Sequence, residues 1–179
     1  MRACRMILHP DSTLFCLVTA LRKNARYIAE GTGLYRSTDG AKSWSWINRS
    51  KPLSWPMDFD VDPHDSRVIY MGAADTENEE GGLYKTSDGG ASWARLARKG
   101  EQCFGATVNP HKPDWIYMCL GEGDVSGPGL WLSKDRGKSW RALEGLPFRG
   151  AQRVSFDPKD DSVIYVCTFG GSVWRGPAD

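Results

Sequence analysis

No stretch of this 179-residue chain is long and apolar enough to cross a membrane as a helix, and its opening, Met1 to Pro10, lacks the apolar core of a signal peptide. Neither sign of charge dominates. The 23 Lys and Arg against 22 Asp and Glu leave a net charge of +1, with no basic run and no basic stripe interleaved with aromatics. Such a surface has no field to draw it to nucleic acid or to a lipid surface, so no nucleic acid and no membrane is expected as a partner. The expectation is a soluble protein, cytoplasmic by default and secreted if a signal-bearing segment precedes Met1.

Cysteine is sparse and odd in number: Cys4, Cys16, Cys103, Cys119 and Cys167 fall at no metal or redox spacing. They read as reduced core residues. Cys119 and Cys167 sit at one equivalent position near a strand end, and Cys16 stands one residue out of that register. The three histidines, His9, His64 and His111, all fall at proline turns and read as exposed turn residues rather than metal ligands. Asp75, Glu77, Glu79 and Glu80 have the composition of a Ca²⁺ loop, but four acids in a solvated loop usually hold nothing. No metal and no organic cofactor is expected.

What the chain does have is a repeated phrase. Ser37-Thr38-Asp39-Gly40-Ala41-Lys42-Ser43-Trp44 recurs as Thr86-Ser87-Asp88-Gly89-Gly90-Ala91-Ser92-Trp93 and as Ser133-Lys134-Asp135-Arg136-Gly137-Lys138-Ser139-Trp140. The spacing of about 48 residues marks a stacked or radial repeat architecture. Ahead of each octapeptide runs a Gly-Leu-aromatic strand: Gly33-Leu34-Tyr35, Gly82-Leu83-Tyr84 and Gly129-Leu130-Trp131. Further upstream lie a proline turn and an apolar strand: Asp62-Pro63 before Val68-Ile69-Tyr70, Asn109-Pro110 before Ile116-Tyr117, and Asp157-Pro158 before Val163-Ile164-Tyr165. His9-Pro10 before Leu14-Phe15-Cys16 is a weaker copy. Each unit reads as four short strands, which at this period form the blades of a β-propeller.

Within the octapeptide an Asp-Gly step suits a tight hairpin, because Gly accepts positive φ and Asp caps the turn's N–H groups. The following Trp is expected to fold over the blade and bury its ring, contributing about 2–3 kcal/mol. Asp39, Asp88 and Asp135, with Trp44, Trp93 and Trp140, therefore read as structural elements rather than catalytic ones.

The pattern Ser/Thr-x-Asp-x-Gly-x-Ser/Thr-Trp resembles the Asp-box, or BNR, repeat of sialidases, xyloglucan hydrolases, the sortilin ectodomain and photosystem II assembly factors. The first copy departs from it, with Ala41 at the second glycine. The resemblance implies an all-β propeller fold and no single activity, since such scaffolds hydrolyse sugars, bind peptides or chaperone assembly. One domain with blades at about 3–50, 57–98, 104–145 and, lacking its outer strand, 151–175 is expected. Two readings follow for this length: the C-terminal half of a longer propeller with its N-terminal half missing, which is preferred, or a half-propeller closing as a homodimer of close to eight blades.

Function is expected on the rim opposite the octapeptides, where the second-to-third-strand loops and the crossovers converge. Leu21 to Glu30, Ala74 to Glu80 and Gly121 to Ser126 read as long polar loops there. Trp55, Phe104, Arg26, Tyr27, Gln152 and Arg153 are the ligand-binding candidates, since aromatic rings stack on sugar CH faces while hydroxyls need charged or amide partners. Trp55 and Phe104 also suit plain packing between blades. Glycoside hydrolysis needs two carboxylates ~5–10 Å apart, for which Asp58, Glu122, Asp124 and Glu30 are candidates. A sialidase-like site wants three arginines and a Tyr-Glu pair, toward which Arg153, Arg26, Tyr27 and Glu30 supply only a part. The reading is a non-catalytic module binding a glycan or a protein surface; part of a glycoside hydrolase, or a structural assembly module, are the alternatives.

Overall fold

The computed structural model describes residues 2–23, 26–28, 30–53, 55–76, 81–97, 102–121, 129–146, 150–168 and 170–179, the side chains of Arg2 and of residues 21–28 excepted. No helix occurs among them. The first sheet holds β1 (Arg2–Leu8) and β2 (Leu14–Thr19), with β3 (Leu21–Lys23) and β4 (Arg26–Ile28) following as a separate two-stranded sheet, and is completed by β5 (Gly33–Ser37) and β6 (Ser45–Trp46) in the order β1-β2-β5-β6. The second uses β7 (Pro56–Asp62), β8 (Asp65–Ala73), β9 (Gly82–Thr86) and β10 (Ala94–Ala97). The third uses β11 (Cys103–Val108), β12 (Ile116–Leu120), β13 (Leu130–Ser133) and β14 (Arg141–Ala142). A three-stranded fourth sheet holds β15 (Ala151–Phe156), β16 (Val163–Thr168) and β17 (Val173–Pro177). The architecture is all-β, an arc of four antiparallel blades of which the last lacks its outer strand. The inner strands β1, β7, β11 and β15 are spatial neighbours in that order.

Three apolar clusters join successive blades. Phe15, Leu17 and Leu34 of the first blade pack with Phe59, Val61, Ile69 and Met71 of the second. Tyr70 and Leu83 meet Ala106, Val108, Ile116 and Met118 at the next joint, and Tyr117, Leu130 and Leu132 meet Val154, Ile164 and Val166 at the last. The reason is the period of two: alternate strand residues face opposite sides, so every blade has a leading and a trailing apolar face.

Each octapeptide closes the same hairpin. Ser37, Thr86 and Ser133 donate their hydroxyls to Oδ1 of Asp39, Asp88 and Asp135 at 2.8, 2.7 and 2.7 Å. The same aspartates accept the N–H of Ser43, Ser92 and Ser139 at 3.0, 2.9 and 2.9 Å and their hydroxyls at 2.6, 2.5 and 2.5 Å. Led by the Ser43 hydroxyl, these bonds pull Asp39 down to about 2, and Asp88 and Asp135 are lowered by the corresponding Ser92 and Ser139 bonds. The Trp93 and Trp140 indoles donate to Gly90 O and Gly137 O at 3.2 and 3.1 Å, and each ring is half-buried over the joint to the preceding blade.

Four expectations are corrected. Trp44 does not bury its ring; it is 38 % exposed, because no blade lies in front of it to receive the indole as the first blade receives Trp93. His9 is buried, its Nε2 within 3.0 Å of Asp62 O of the next blade, so that this turn is covered where those of His64 and His111 are not. Cys4 is exposed rather than in the core, since a bulge turns it out of β1, while Cys16 and Cys167 are half-buried and Cys103 and Cys119 buried. The polar stretch Leu21 to Glu30 contains a paired hairpin, Leu21↔Ile28 and Arg22↔Tyr27, where an open loop was expected.

Candidate functional site

Every inner strand carries a β-bulge at the same place: between Ala3 and Arg5, Pro56 and Asp58, Cys103 and Gly105, and Ala151 and Arg153. A bulge re-aims the residue beside it. The residues that follow it, Arg5, Asp58, Gly105 and Arg153, stand at equivalent positions and line the inner surface of the arc, near the rim opposite the octapeptides. Their succession is positive, negative, empty, positive.

Asp58 is the hub. Arg5 Nη1 donates to both of its oxygens at 3.1 Å, and Arg153 donates to Oδ2 from Nε at 3.0 Å and from Nη2 at 2.7 Å. The Phe59 N–H supplies a further bond to Oδ1 at 2.9 Å. The Asp58 residue is buried, 6 % exposed. Arg153 reaches it because Gly105 leaves the intervening position open: a Cβ there would lie 2.8 Å from Asp58 Cβ. Arg5 also donates to Asp60 Oδ1 at 3.2 Å, and its guanidinium lies 5.6 Å from the centre of the Phe59 ring. Asp60 Oδ2 accepts the Val108 N–H of the third blade at 3.0 Å. Desolvation raises Asp60 to about 6, against the opposing pull of Arg5.

This cluster ties four chain segments together and engages both Asp58 oxygens. Arg5 and Asp60 are absent from the sequence-derived candidates. The signal that finds them is register: counted back from the proline turns, Arg5 stands where Asp58 and Arg153 stand.

The other described candidates fall on different blades. Trp55 is half-buried just ahead of β7, its carbonyl accepting the Ala74 N–H at 3.0 Å beside the buried Leu53. Phe104 and Gln152 occupy the bulge positions of β11 and β15, both half-buried, with Phe104 packed on the cluster between the third and fourth blades. Glu30 is exposed after β4. Arg26 and Tyr27 lie in β4 with side chains outside the description, and Glu122 and Asp124, like Glu77, Glu79 and Glu80, lie outside the described residues. The structure thus brings Asp58 and Arg153 together by direct hydrogen bonds. Among the described residues no cluster of three or more His, Cys, Asp or Glu converges as a metal site.

A cavity of about 240 Å³ opens between the third and fourth blades, lined by Leu130, Arg141, Leu143, Leu146, Trp174 and Asp179 among others. It lies away from the ion cluster.

No family model and no curated protein matches this chain. Solved structures do. The Niastella koreensis GH74 enzyme shares 19 % identity over 97 % of this chain with a TM-score of 0.70, and this chain covers 28 % of it. The Xanthomonas campestris GH74 xyloglucanase shares 19 % over 92 % with a TM-score of 0.65 and is covered to 27 %. An auxiliary nutrient binding protein from Bacteroides thetaiotaomicron shares 16 % over 99 % with a TM-score of 0.70 and is covered to 38 %. The chain therefore spans about a quarter of the GH74 enzymes and somewhat over a third of the nutrient binding protein. These likenesses carry the fold and no activity: the chain is an arc of β-propeller blades.

Proposed function

We propose that this chain is a non-catalytic binding module of the Asp-box propeller kind, recognising a glycan or a protein surface through the rim opposite its octapeptide hairpins. The observation that carries the reading is the saturation of Asp58. With two arginines and a backbone N–H on its oxygens, it serves as a strut of the binding face rather than as an acid or base. Trp55 and Phe104 offer half-buried aromatic surface around that rim, and Arg153 keeps part of its guanidinium in solvent, its side chain 40 % exposed. Flat aromatic faces with a cationic hydrogen-bond donor suit sugar rings as well as a peptide surface.

The alternative, part of a glycoside hydrolase, draws on Asp60. A carboxyl at about 6 lies in the range useful to a general acid. Against this, both Asp60 oxygens are engaged, by Arg5 and by the Val108 N–H. A purely structural or assembly role is the third reading and predicts neither sugar binding nor turnover.

Calorimetric titration with xyloglucan oligosaccharides, alongside a hydrolysis assay on the same sugars, separates them. Binding that falls tenfold or more in Trp55→Ala, with no turnover in any variant, supports the module. Turnover abolished by Asp60→Asn with binding retained supports the hydrolase. Absence of both leaves two readings, a protein surface as the ligand or a purely structural role.

A further inference from the structure

The ion cluster of the inner strands is a row of four groups with unlike ends. Asp60 Oδ1 accepts from Arg5 Nη2 at 3.2 Å, and Arg5 Nη1 donates to both Asp58 oxygens at 3.1 Å. Asp58 Oδ2 in turn accepts from Arg153 Nε at 3.0 Å and from Nη2 at 2.7 Å. Charge alternates along the row: negative, positive, negative, positive. The Asp60, Arg5 and Asp58 side chains are 15, 17 and 9 % exposed, whereas Arg153 is 40 % exposed. One end of the row is thus buried and the other meets water.

The buried end is the member whose charge changes under mild conditions. Desolvation, with a lesser addition from Asp58, raises Asp60 to about 6 against Arg5 and the Val108 and Val61 N–H groups. The other titratable groups around the row are silent in that range. Tyr70 stands opposite Asp60 on β8 and is pushed up to about 12 by burial. Cys4 of β1 is pushed up to about 11 by burial and by Asp58, and burial raises Cys119 of β12 well above the usual thiol range. His9 meets β7 two residues farther on, where its partners are Asp62 O and Asp11.

With Asp60 ionised the four charges sum to zero. Arg5 is then shared between two carboxylates, which leaves Asp58 freer to hold Arg153. With Asp60 protonated the sum is +1, and both guanidiniums depend on the single charge of Asp58. Arg153 is the one that water can take up, because it is the exposed member. We propose that the proton on Asp60 sets how firmly Asp58 holds Arg153: its uptake loosens Arg153 toward solvent at the rim, and its release draws Arg153 back. Asp60 is a positioning residue in this account, acting through Arg5 and Asp58. The coupling joins two groups of this chain and is independent of what the rim binds. Linkage makes it reciprocal, so Arg153 must favour loss of the Asp60 proton.

The test is an NMR titration of the 179-residue chain from pH 4.5 to 7.5, reading the Asp60 carboxyl ¹³C and the Arg153 Nε–H. It compares the wild type with Asp60→Asn, Arg153→Gln and, as a control, Arg67→Gln, whose side chain pairs with Asp65 in the exposed turn. In the wild type both signals are expected to follow one midpoint, and the Arg153 step is expected to vanish in Asp60→Asn. Arg153→Gln is expected to move the Asp60 midpoint up by about half a pH unit or more, a ~3-fold gain in proton affinity, while the control leaves it in place. An Arg153 signal that stays flat while Asp60 titrates overturns the proposal, as does an Asp60 carboxyl that holds one state throughout. An Arg153 step that survives in Asp60→Asn belongs to another group, such as His9, and overturns it too. Should Asp60→Asn fail to fold, the half-exposed Arg153→Gln decides: an upward shift of the Asp60 midpoint supports the coupling, and an unchanged midpoint overturns it.

Discussion

Asp58 and Arg153, 95 residues apart in the chain, are joined by hydrogen bonds of 3.0 and 2.7 Å across a blade that has no side chain at the intervening position. The glycine in that gap is Gly105, where a methyl group would meet Asp58; a methyl group at Gly72 would in turn meet the Gly105 backbone. Close approach of three blades at this level depends on the missing Cβ.

Gly105→Ala is expected to destabilise the chain by about 1–3 kcal/mol through overpacking against the rigid Cβ of Asp58. Urea unfolding measures it. An unchanged midpoint would mean that the blades part freely at this level.

The Asp58–Arg153 pair is expected to couple energetically. Asp58→Asn alone leaves Arg5, whose side chain is 17 % exposed, without its main partner, and costs about 3 kcal/mol. Arg153→Gln costs less, because that side chain is 40 % exposed and its charge is screened. A double-mutant cycle gives about 0.5–2 kcal/mol of coupling, and additive losses would show that the two groups do not act together.

Asp60 controls a pH slope. Its folded-state value is raised to about 6, above the ordinary 3.8, so the folded chain holds a proton that the unfolded chain releases. Stability associated with this group is therefore greatest below about pH 4 and is lost as pH rises through 6, by up to about 3 kcal/mol. Comparison of wild type with Asp60→Asn across pH 4 to 7 isolates this slope. The variant, whatever its constant offset, lacks it; parallel curves would contradict the assignment.

The octapeptide aspartates give the opposite sign. Asp39, Asp88 and Asp135 are lowered by the serine hydroxyl and N–H bonds, so their contribution is present above pH 4 and is lost as pH falls through their folded values. Asp88→Ala lowers the thermal midpoint at pH 7, and the difference from wild type closes toward pH 2. A difference that persists undiminished in acid would locate the effect in something other than the charged carboxylate.

Gly90→Ala and Ala41→Gly probe one position in two blades. The first places a Cβ on the Ile47 carbonyl at φ 96° and costs about 2–3 kcal/mol. The second relieves a left-handed alanine and is neutral to stabilising by up to about 1 kcal/mol. Equal effects at the two sites would mean that the first blade is crowded like the second.

The fold is legible because the repeat is written at short range: octapeptide, Gly-Leu-aromatic and proline turn each specify a local element, and three copies in register leave few architectures. The inner-strand cluster was only half legible. Asp58 and Arg153 were named, but their contact depends on Gly105 being empty, and Arg5 finds its acid 53 residues away. Such pairings follow from how blades stack, which no local pattern encodes. The β3–β4 hairpin was missed because its polar strands carry no apolar alternation. His9 and Trp44 were misplaced for one reason: their burial is decided by the neighbouring blade, present for His9 and absent for Trp44.

Asp58→Asn, assayed in one preparation for urea unfolding and for hydrolysis of xyloglucan oligosaccharides, tests most directly whether Asp58 is a strut of the binding face. A stability loss of about 3 kcal/mol with no turnover in wild type or variant is the predicted result. Turnover in the wild type that disappears in a variant of unchanged stability would contradict it and make Asp58 a catalytic carboxylate.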